Sequence, residues 1–151
     1  MANVLIVDHQ SPIRKSLTSS LSGDGHKVYE ATNGKAALEM AAKSRFDLMF
    51  LDLELPGMSG IEVLSDLKGN PRTSGIPVIM LTSLLSAETE AASLRLGASN
   101  VLVKPCSGRS LETMVRIDLR EGEDAASPGL GGTDDSSEAA GIEPPAYEDR
   151  E

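Results

Sequence analysis

The sequence is poor in cysteine and in aromatic residues. It contains one cysteine, Cys106, together with two phenylalanines, two tyrosines and no tryptophan among 151 residues. A single cysteine excludes a disulfide within the chain and a zinc site built from several thiolates, and it favours a reducing cytoplasm. Because aromatic rings are the stacking platforms on which single-stranded nucleic acids bind, their scarcity argues against that function.

Long hydrophobic runs and an excess of basic charge are also absent. The apolar run before Asp8 is too short for a signal peptide or a membrane span, so we expect no membrane insertion. Residues 121–151 hold 10 of the 23 acids and 1 of the 14 bases, so they carry the whole formal charge of −9 and leave residues 1–120 neutral. Without a basic stripe to neutralise phosphates, we expect no direct binding of nucleic acid.

The composition changes at residue 121. From there on Gly, Ser, Pro, Asp and Glu dominate, and apolar residues show almost no periodicity. Such a segment cannot bury enough apolar surface to offset the entropy lost on ordering. We therefore predict one domain over residues 1–120 and an acidic disordered tail over residues 121–151. Since no helix-turn-helix or catalytic domain follows, we expect a stand-alone module.

Short apolar strands alternate with amphipathic segments of helix length along residues 1–120. This pattern is typical of a parallel sheet covered by helices on both faces. Five strand–helix pairs are present, and the residues predicted to cap the helices are Ser11, Asn33, Ser59 (with Glu62 in a capping box), Ser86 and Ser107. We predict a flavodoxin-like, doubly wound α/β fold with a five-stranded parallel sheet in the order 2-1-3-4-5.

Four of the predicted strands each end in one polar residue: Asp8, Asp52, Thr82 and Lys104. In doubly wound sheets ligands bind at the carboxyl ends of the strands, beside the point where the strand order reverses. With the order 2-1-3-4-5 the first and third strands are neighbours there, so Asp8 and Asp52 should face each other. Thr82 and Lys104 should complete the site from strands four and five.

These side chains suit phosphoryl chemistry. A carboxylate can act as a nucleophile and form an aspartyl phosphate if the negative charges brought together are neutralised. Asp8 and Asp52 can hold Mg²⁺, a hard cation that prefers carboxylate, phosphate and water oxygens. The Lys104 ammonium can pair with a phosphoryl oxygen, and the Thr82 hydroxyl can donate a hydrogen bond to another.

Six short motifs lie in order along this part of the chain: Val7-Asp8, Leu51-Asp52, Pro56-Gly57, Thr82-Ser83, Gly97-Ala98 and Lys104-Pro105. With these motifs the domain resembles the receiver domain of two-component response regulators, of the chemotaxis-regulator-like kind. The resemblance implies that Asp52 accepts a phosphoryl group from a histidine kinase or a phosphotransfer protein. It implies that Asp8 is a metal-site acid, Thr82 the switch hydroxyl and Lys104 the partner of the phosphoryl group.

The resemblance implies four further properties. The backbone carbonyl of Glu54 would ligate Mg²⁺, and the Lys104–Pro105 peptide bond would be cis. A downstream protein would dock on the face formed by helix 4, strand 5 and helix 5. The domain would not be an enzyme beyond catalysing its own phosphorylation and dephosphorylation.

One departure from the family pattern lies in the metal site. Receivers usually carry two adjacent acids after the first strand, whereas here the pair is Asp8-His9. Imidazole is a poor ligand for Mg²⁺, so we expect weak magnesium binding. In one interpretation His9 merely lies in a loop. In another, protonated His9 partly replaces the cation and makes the site sensitive to pH. A third hypothesis is that the Glu54 side chain replaces the missing acid.

The region expected to act as the switch also departs from the family pattern. Val101 stands where receivers usually have an aromatic residue, so a rotating ring cannot be the switch. Cys106 also stands at a position often held by an aromatic residue, and we interpret it as a small buried hydrophobe rather than a redox group.

These departures leave an alternative function open, that of a pseudo-receiver that binds partners without being phosphorylated. A flavin or nucleotide binder is disfavoured, since no glycine-rich phosphate loop follows the first strand.

Overall fold

The structure is a computed structural model that describes residues 2–106 and 111–119. Five parallel strands form one sheet in the order β2-β1-β3-β4-β5. The strands are β1 (Asn3–Val7), β2 (Lys27–Ala31), β3 (Leu48–Asp52), β4 (Val78–Thr82) and β5 (Asn100–Val103). The predicted flavodoxin-like topology is thus confirmed, including the placement of β1 and β3 as neighbours.

Helices connect the strands, as expected for parallel pairing. They are α1 (Ser11–Gly23), α2 (Gly34–Lys43), α3 (Gly60–Lys68) and α4 (Ala87–Arg95). Residues 111–119 are also helical, and we call this segment α5. None of the helices in the part of the chain described here is long and apolar enough to cross a membrane.

Each face of the sheet has its own hydrophobic core, because successive strand residues point to opposite sides. On one face Leu5, Val7, Met49, Leu51, Val78 and Met80 pack with buried residues of α2 and α3. On the other face Val4, Ile6, Leu48, Phe50, Ile79 and Leu81 pack with buried residues of α1 and α5. Strands buried on both faces are almost continuously apolar, which is why the polar residues at their ends stand out in the sequence.

Three of the predicted helix caps are confirmed. Asn33 accepts a hydrogen bond from the Ala36 N–H at 2.8 Å, Ser86 accepts one from Thr89, and Ser59 forms the predicted capping box. The prediction for α1 was wrong by one residue, since its N-cap is Gln10, which makes no side-chain capping bond. Pro12 is compatible with any position in the first turn, so it does not fix where the helix begins.

Two predictions concern segments that lie outside the described residues. One is the cap of the last helix at Ser107, and the other is the acidic tail over residues 121–151. The division into a domain of residues 1–120 and a disordered tail therefore stays a prediction.

Candidate functional site

The carboxyl end of β1 holds Asp8 in a fixed position. Its side chain is fully buried, and its backbone N–H donates to the Ala31 carbonyl of the neighbouring strand at 3.1 Å. The Gln10 N–H donates to Asp8 Oδ1 at 2.8 Å, and the Arg14 guanidinium donates to the Asp8 carbonyl at 2.9 Å. Backbone and side-chain bonds together orient this carboxylate toward the crevice beside β3.

Asp52 ends β3 and is also fully buried. The β1–β3 register pairs Val7 with Leu51, so the residues that follow them, Asp8 and Asp52, leave the sheet side by side. The Glu54 N–H donates to Asp52 Oδ1 at 2.9 Å. Two buried carboxylates side by side repel each other and require a positive charge between them.

Lys104 supplies that charge from the end of β5. Its Nζ lies 2.8 Å from Asp8 Oδ2 and 3.0 Å from Asp52 Oδ1, and it donates to Gln10 Oε1 at 3.1 Å. Its backbone N–H donates to the Thr82 carbonyl at 2.8 Å, and the Lys104–Pro105 peptide bond is cis. The structure thus brings three of the four predicted side chains into direct contact.

The charge state of Lys104 follows from two opposing effects. Burial of the ammonium lowers the pKa of Lys104, whereas hydrogen bonds to Asp8 and Asp52 and the charges of these acids raise it. The acids prevail, so the pKa of Lys104 lies above its ordinary value. The ammonium is therefore charged at neutral pH, and stabilisation from this shift would be lost only as the pH rises through that elevated pKa.

His9 does not merely lie in a loop. Its Nδ1 is 2.9 Å from Asp52 Oδ2 and 4.0 Å from Asp8 Oδ1, so the interpretation that separated it from the site was wrong. The contact with Asp52 is a hydrogen bond when Nδ1 carries a proton. Within residues 2–106 and 111–119, Asp8, His9 and Asp52 form the group able to hold a metal ion, with their ligand atoms within 4.8 Å of one another.

Thr82 is buried at the end of β4, but its hydroxyl belongs to a different set of contacts. Oγ1 lies 2.8 Å from Glu54 Oε2 and 3.1 Å from the Leu84 carbonyl, both acceptors. A hydroxyl has one proton, and the shorter contact is with the charged acceptor, Glu54. Ser83 reinforces this contact, because its N–H and its hydroxyl both lie 3.3 Å from Glu54 Oε1.

The Glu54 side chain therefore does not replace the missing acid in this structure. Its carboxylate is bonded to Thr82 and Ser83, and it is not a member of the Asp8, His9 and Asp52 group. Glu54 is an exposed residue, so its side chain can also contact solvent. The role predicted for the Glu54 backbone carbonyl as a magnesium ligand stays a prediction.

Sequence reasoning missed Gln10, which helps to hold both Asp8 and Lys104. Gln10 lies two residues after Asp8, and the short polar side chain of an Asp commonly accepts a bond from the backbone N–H two residues on. That rule predicts the bond from the Gln10 N–H to Asp8. No local pattern predicts the contact with Lys104, since the two residues are 94 positions apart.

The two positions that depart from the family pattern near β5 have ordinary structural roles. Val101 is buried in the core on the α2–α3 face. Cys106 is half-buried against the opposite core, as expected for a small hydrophobe. Burial raises the pKa of the Cys106 thiol, nearby Lys104 lowers it, and Asp8 raises it, for a net increase. A raised thiol pKa disfavours the reactive thiolate.

The chain matches the family model of the response regulator receiver domain over residues 4–116. With three quarters of its length matched, and with the strand order and the acid–lysine cluster in place, the chain belongs to the response regulator receiver family of two-component systems.

Similar proteins include both transcriptional regulators and isolated receivers. The chain is 36% identical over 123 residues to the transcriptional regulatory protein AfsQ1 of Streptomyces coelicolor, covering 82% of this chain and 53% of that protein. It is 38% identical over 128 residues to KdpE, the KDP operon transcriptional regulatory protein of Escherichia coli, covering 85% and 56%. The chain thus spans about half the length of these relatives.

Two solved structures with the same fold are covered over 98% of their length. A CheY-like receiver domain protein of Methanospirillum hungatei has a TM-score of 0.78 at 30% identity, covering 83% of this chain and 98% of that one. The chemotaxis protein CheY4 of Vibrio cholerae has a TM-score of 0.73 at 32% identity, covering 78% and 98%. The fold of the described residues is therefore that of these receiver domains.

Proposed function

We propose that this receiver accepts a phosphoryl group on Asp52 from a histidine kinase or a phosphotransfer protein and signals through protein contacts. The observation that carries the proposal is the Lys104 ammonium, held 3.0 Å from the buried Asp52 carboxylate and 2.8 Å from Asp8. A buried lysine is costly unless it is paired, and here it is placed where a phosphoryl group on Asp52 would need a counter-charge.

In the proposed reaction an Asp52 carboxylate oxygen attacks the phosphorus of the donor phosphohistidine. The oxygen–phosphorus bond forms as the nitrogen–phosphorus bond breaks, and the electron pair stays on the donor imidazole, which takes up a proton. Phosphoryl transfer depends mostly on positioning and charge. Lys104 supplies the charge, while the Glu54 N–H fixes the Asp52 carboxylate by donating to Oδ1.

A divalent cation beside Asp8 and Asp52 would neutralise phosphoryl oxygens during the transfer. Two carboxylate oxygens are left for such an ion: Asp8 Oδ1 and Asp52 Oδ2 lie 4.0 and 2.9 Å from His9 Nδ1, whereas Asp8 Oδ2 and Asp52 Oδ1 contact the Lys104 ammonium. The third donor atom close by is a nitrogen, His9 Nδ1, which suits Mg²⁺ poorly. We therefore propose that Mg²⁺ binds weakly at this site, with the Glu54 backbone carbonyl as a further ligand.

Phosphorylation would switch the domain through Thr82. The hydroxyl lies 2.8 Å from Glu54 Oε2, so it has to leave that acceptor to donate to a phosphoryl oxygen on Asp52. That exchange would pull the β4–α4 loop toward the site. Movement of one loop through a new hydrogen bond to a phosphoryl group is a common basis of switching.

We place the docking site of a downstream protein on the face of α4, β5 and α5. These elements carry exposed apolar side chains: Leu94 and Leu96 at the end of α4, Val103 on β5 and Ile117 on α5. Apolar residues at the surface favour contact with a protein. Neither nucleic acid binding nor membrane insertion is part of the proposal, and a cytoplasmic location stays a prediction from the cysteine content.

Acetyl phosphate tests the proposal without the unknown kinase. The protein and its Asp52→Asn variant are incubated with acetyl phosphate, with and without Mg²⁺, and intact masses are measured. We expect one phosphoryl adduct on the parent protein and none on the variant. Loss of the adduct in a Lys104→Ala variant that still folds, by far-UV circular dichroism, would support the role of the ammonium.

The second candidate function is that of a pseudo-receiver. The observation that favours it is the contact between His9 Nδ1 and Asp52 Oδ2, which occupies one oxygen of the acceptor carboxylate. In that case no adduct forms under any of these conditions, while the His9→Asp variant, which restores the usual acid pair, gains one.

A further inference from the structure

We propose that Asp8, His9 and Asp52 form a site that prefers a divalent transition cation of the zinc and cobalt class to Mg²⁺. The inference rests on the proposed function, because it names the ion of the same phosphoacceptor site. It starts from the donor atoms that the structure brings together, which are two carboxylate oxygens and one imidazole nitrogen within 4.8 Å of one another.

The spacing of these donors suits one ion. Two ligand atoms that are each about 2.1 Å from an ion lie about 3.0 to 3.4 Å apart in octahedral or tetrahedral geometry. His9 Nδ1 lies 2.9 Å from Asp52 Oδ2 and 4.0 Å from Asp8 Oδ1, which brackets that range. Closing the longer gap requires a small movement of His9, whose side chain is 42% exposed and therefore has room to adjust.

The identity of the donors decides between metals. Mg²⁺ requires near-ideal octahedral oxygen ligation and gains little from a nitrogen. Imidazole suits Zn²⁺ and neighbouring transition ions, and for mixed nitrogen and oxygen sites the affinity rises from Mn²⁺ through Co²⁺ to Cu²⁺. Because His9 stands where the second acid of a receiver would be, the substitution changes the class of ion that the site selects.

The charges in the site leave room for a dication. The Asp8 and Asp52 carboxylates and the Lys104 ammonium sum to a formal charge of −1 with a neutral imidazole. Asp8 Oδ2 and Asp52 Oδ1 are paired with the Lys104 ammonium at 2.8 and 3.0 Å, which leaves Asp8 Oδ1 and Asp52 Oδ2 as the oxygens beside His9 Nδ1. A dication bound by these two oxygens and the imidazole would offset the remaining negative charge of the buried site.

Titration calorimetry of the full chain with ZnCl₂ and with MgCl₂, without any phosphoryl donor, tests the proposal. We expect Zn²⁺ to bind at least tenfold more tightly than Mg²⁺. In His9→Ala the zinc affinity should fall by about tenfold or more, as for loss of a metal-site group. In His9→Asp the zinc affinity should fall while the magnesium affinity rises. The visible absorption of bound Co²⁺ should change in both variants because a nitrogen ligand is lost.

The chain provides its own control, since His26 is the only other histidine. His26 Nδ1 accepts a hydrogen bond from the Ala2 N–H, so His26→Gln keeps an acceptor there and should leave zinc affinity unchanged. The proposal would be overturned if a folded His9→Ala variant bound zinc as tightly as the parent protein. It would also be overturned if the parent and His9→Asp proteins bound magnesium with equal affinity. The metal affinities are measured without phosphorylation, so this proposal and the proposed phosphorylation of Asp52 can fail independently.

Discussion

Helices α3 and α4 invite comparison because the chain builds them by the same local rules. Each has nine residues, each follows a strand that ends in a site residue, and each is capped by a serine, Ser59 or Ser86, whose side chain accepts the backbone N–H three residues on. Each also has an acid in its first turn and a base in its last, which favours the helix dipole. In their caps and terminal charges the two helices are equivalent.

Their packing is very different. Helix α3 buries Gly60, Val63, Leu64 and Leu67, whereas α4 buries Ser93 among its described residues. Since most helix stability in proteins comes from packing of an apolar face, α3 should be the firmer element. The firmly packed helix thus lies beside Asp52, the proposed acceptor, and the loosely packed one beside Thr82, the proposed switch residue.

The largest effect should come from the tightest contact of α3. A Cβ added at Gly60 would lie 2.2 Å from the Asp52 carbonyl oxygen and 2.7 Å from Leu53 Cα, both of which are backbone atoms at the end of β3. We expect Gly60→Ala to lower the free energy of unfolding by about 4 kcal/mol or more, measured by urea denaturation.

Gly23→Ala is the matched control for that variant. Gly23 lies in α1, and a Cβ there would meet nothing within 4 Å, so the change should be neutral or stabilise by up to about 1 kcal/mol. If the Gly60→Ala and parent proteins were equally stable, the backbone next to Asp52 would adjust to the added Cβ at little cost. That result would contradict the description of α3 as the more rigid helix.

A pair of leucine truncations measures the difference between the helices directly. Leu67 of α3 is fully buried, while Leu94 of α4 is 45% exposed. Leu67→Ala should destabilise the protein by about 3 kcal/mol through the cavity that it leaves. Leu94→Ala should change the stability by no more than about 0.5 kcal/mol. Both values come from the same urea titrations, and equal losses would contradict the proposed contrast.

Glu54 links the two regions, since it follows β3 and holds Thr82 of β4 by a 2.8 Å hydrogen bond. We expect Glu54→Ala to raise amide hydrogen exchange about fivefold in residues 82–90, as for loss of one hydrogen bond of about 1 kcal/mol. Exchange in α3 should not change. Glu39→Ala removes an exposed acid from α2 and is the control. Faster exchange in both helices of the Glu54 variant would mean that the acid supports the whole domain.

Features governed by local and periodic rules could be predicted from the sequence. Alternating apolar segments predicted the five strands, and the rule for strand order placed Asp8 beside Asp52 and within reach of Lys104. Side-chain capping at Asn33 and Ser59 follows from residue type and spacing, and both caps are present. The functional roles of the site residues stay predictions.

Side-chain contacts between distant segments could not be predicted. The bonds from His9 to Asp52 and from Thr82 to Glu54 join residues 43 and 28 positions apart, and each depends on which of several competing acceptors a side chain reaches. The hypothesis that Glu54 replaces the missing acid failed for this reason, since Thr82 and Ser83 offered it closer donors. The first helix was misplaced by one residue because Ser11 and Gln10 both lie at its start.

A small stabilising effect is expected at Ser93, the one residue that α4 buries. Ser93 Oγ is buried and has no hydrogen-bond partner among the described residues, a cost that an alanine would remove. We expect Ser93→Ala to raise the free energy of unfolding by about 0.5 to 1 kcal/mol, whereas Ser65→Ala on the exposed face of α3 should leave it unchanged. A more stable Ser93→Ala protein would show that α4 tolerates a buried hydroxyl without a hydrogen bond, as expected of a helix that moves in the proposed switch. Destabilisation by the same change would instead mean that the hydroxyl holds α4 in place. It would contradict the proposal that the helix following Thr82 is loosely packed.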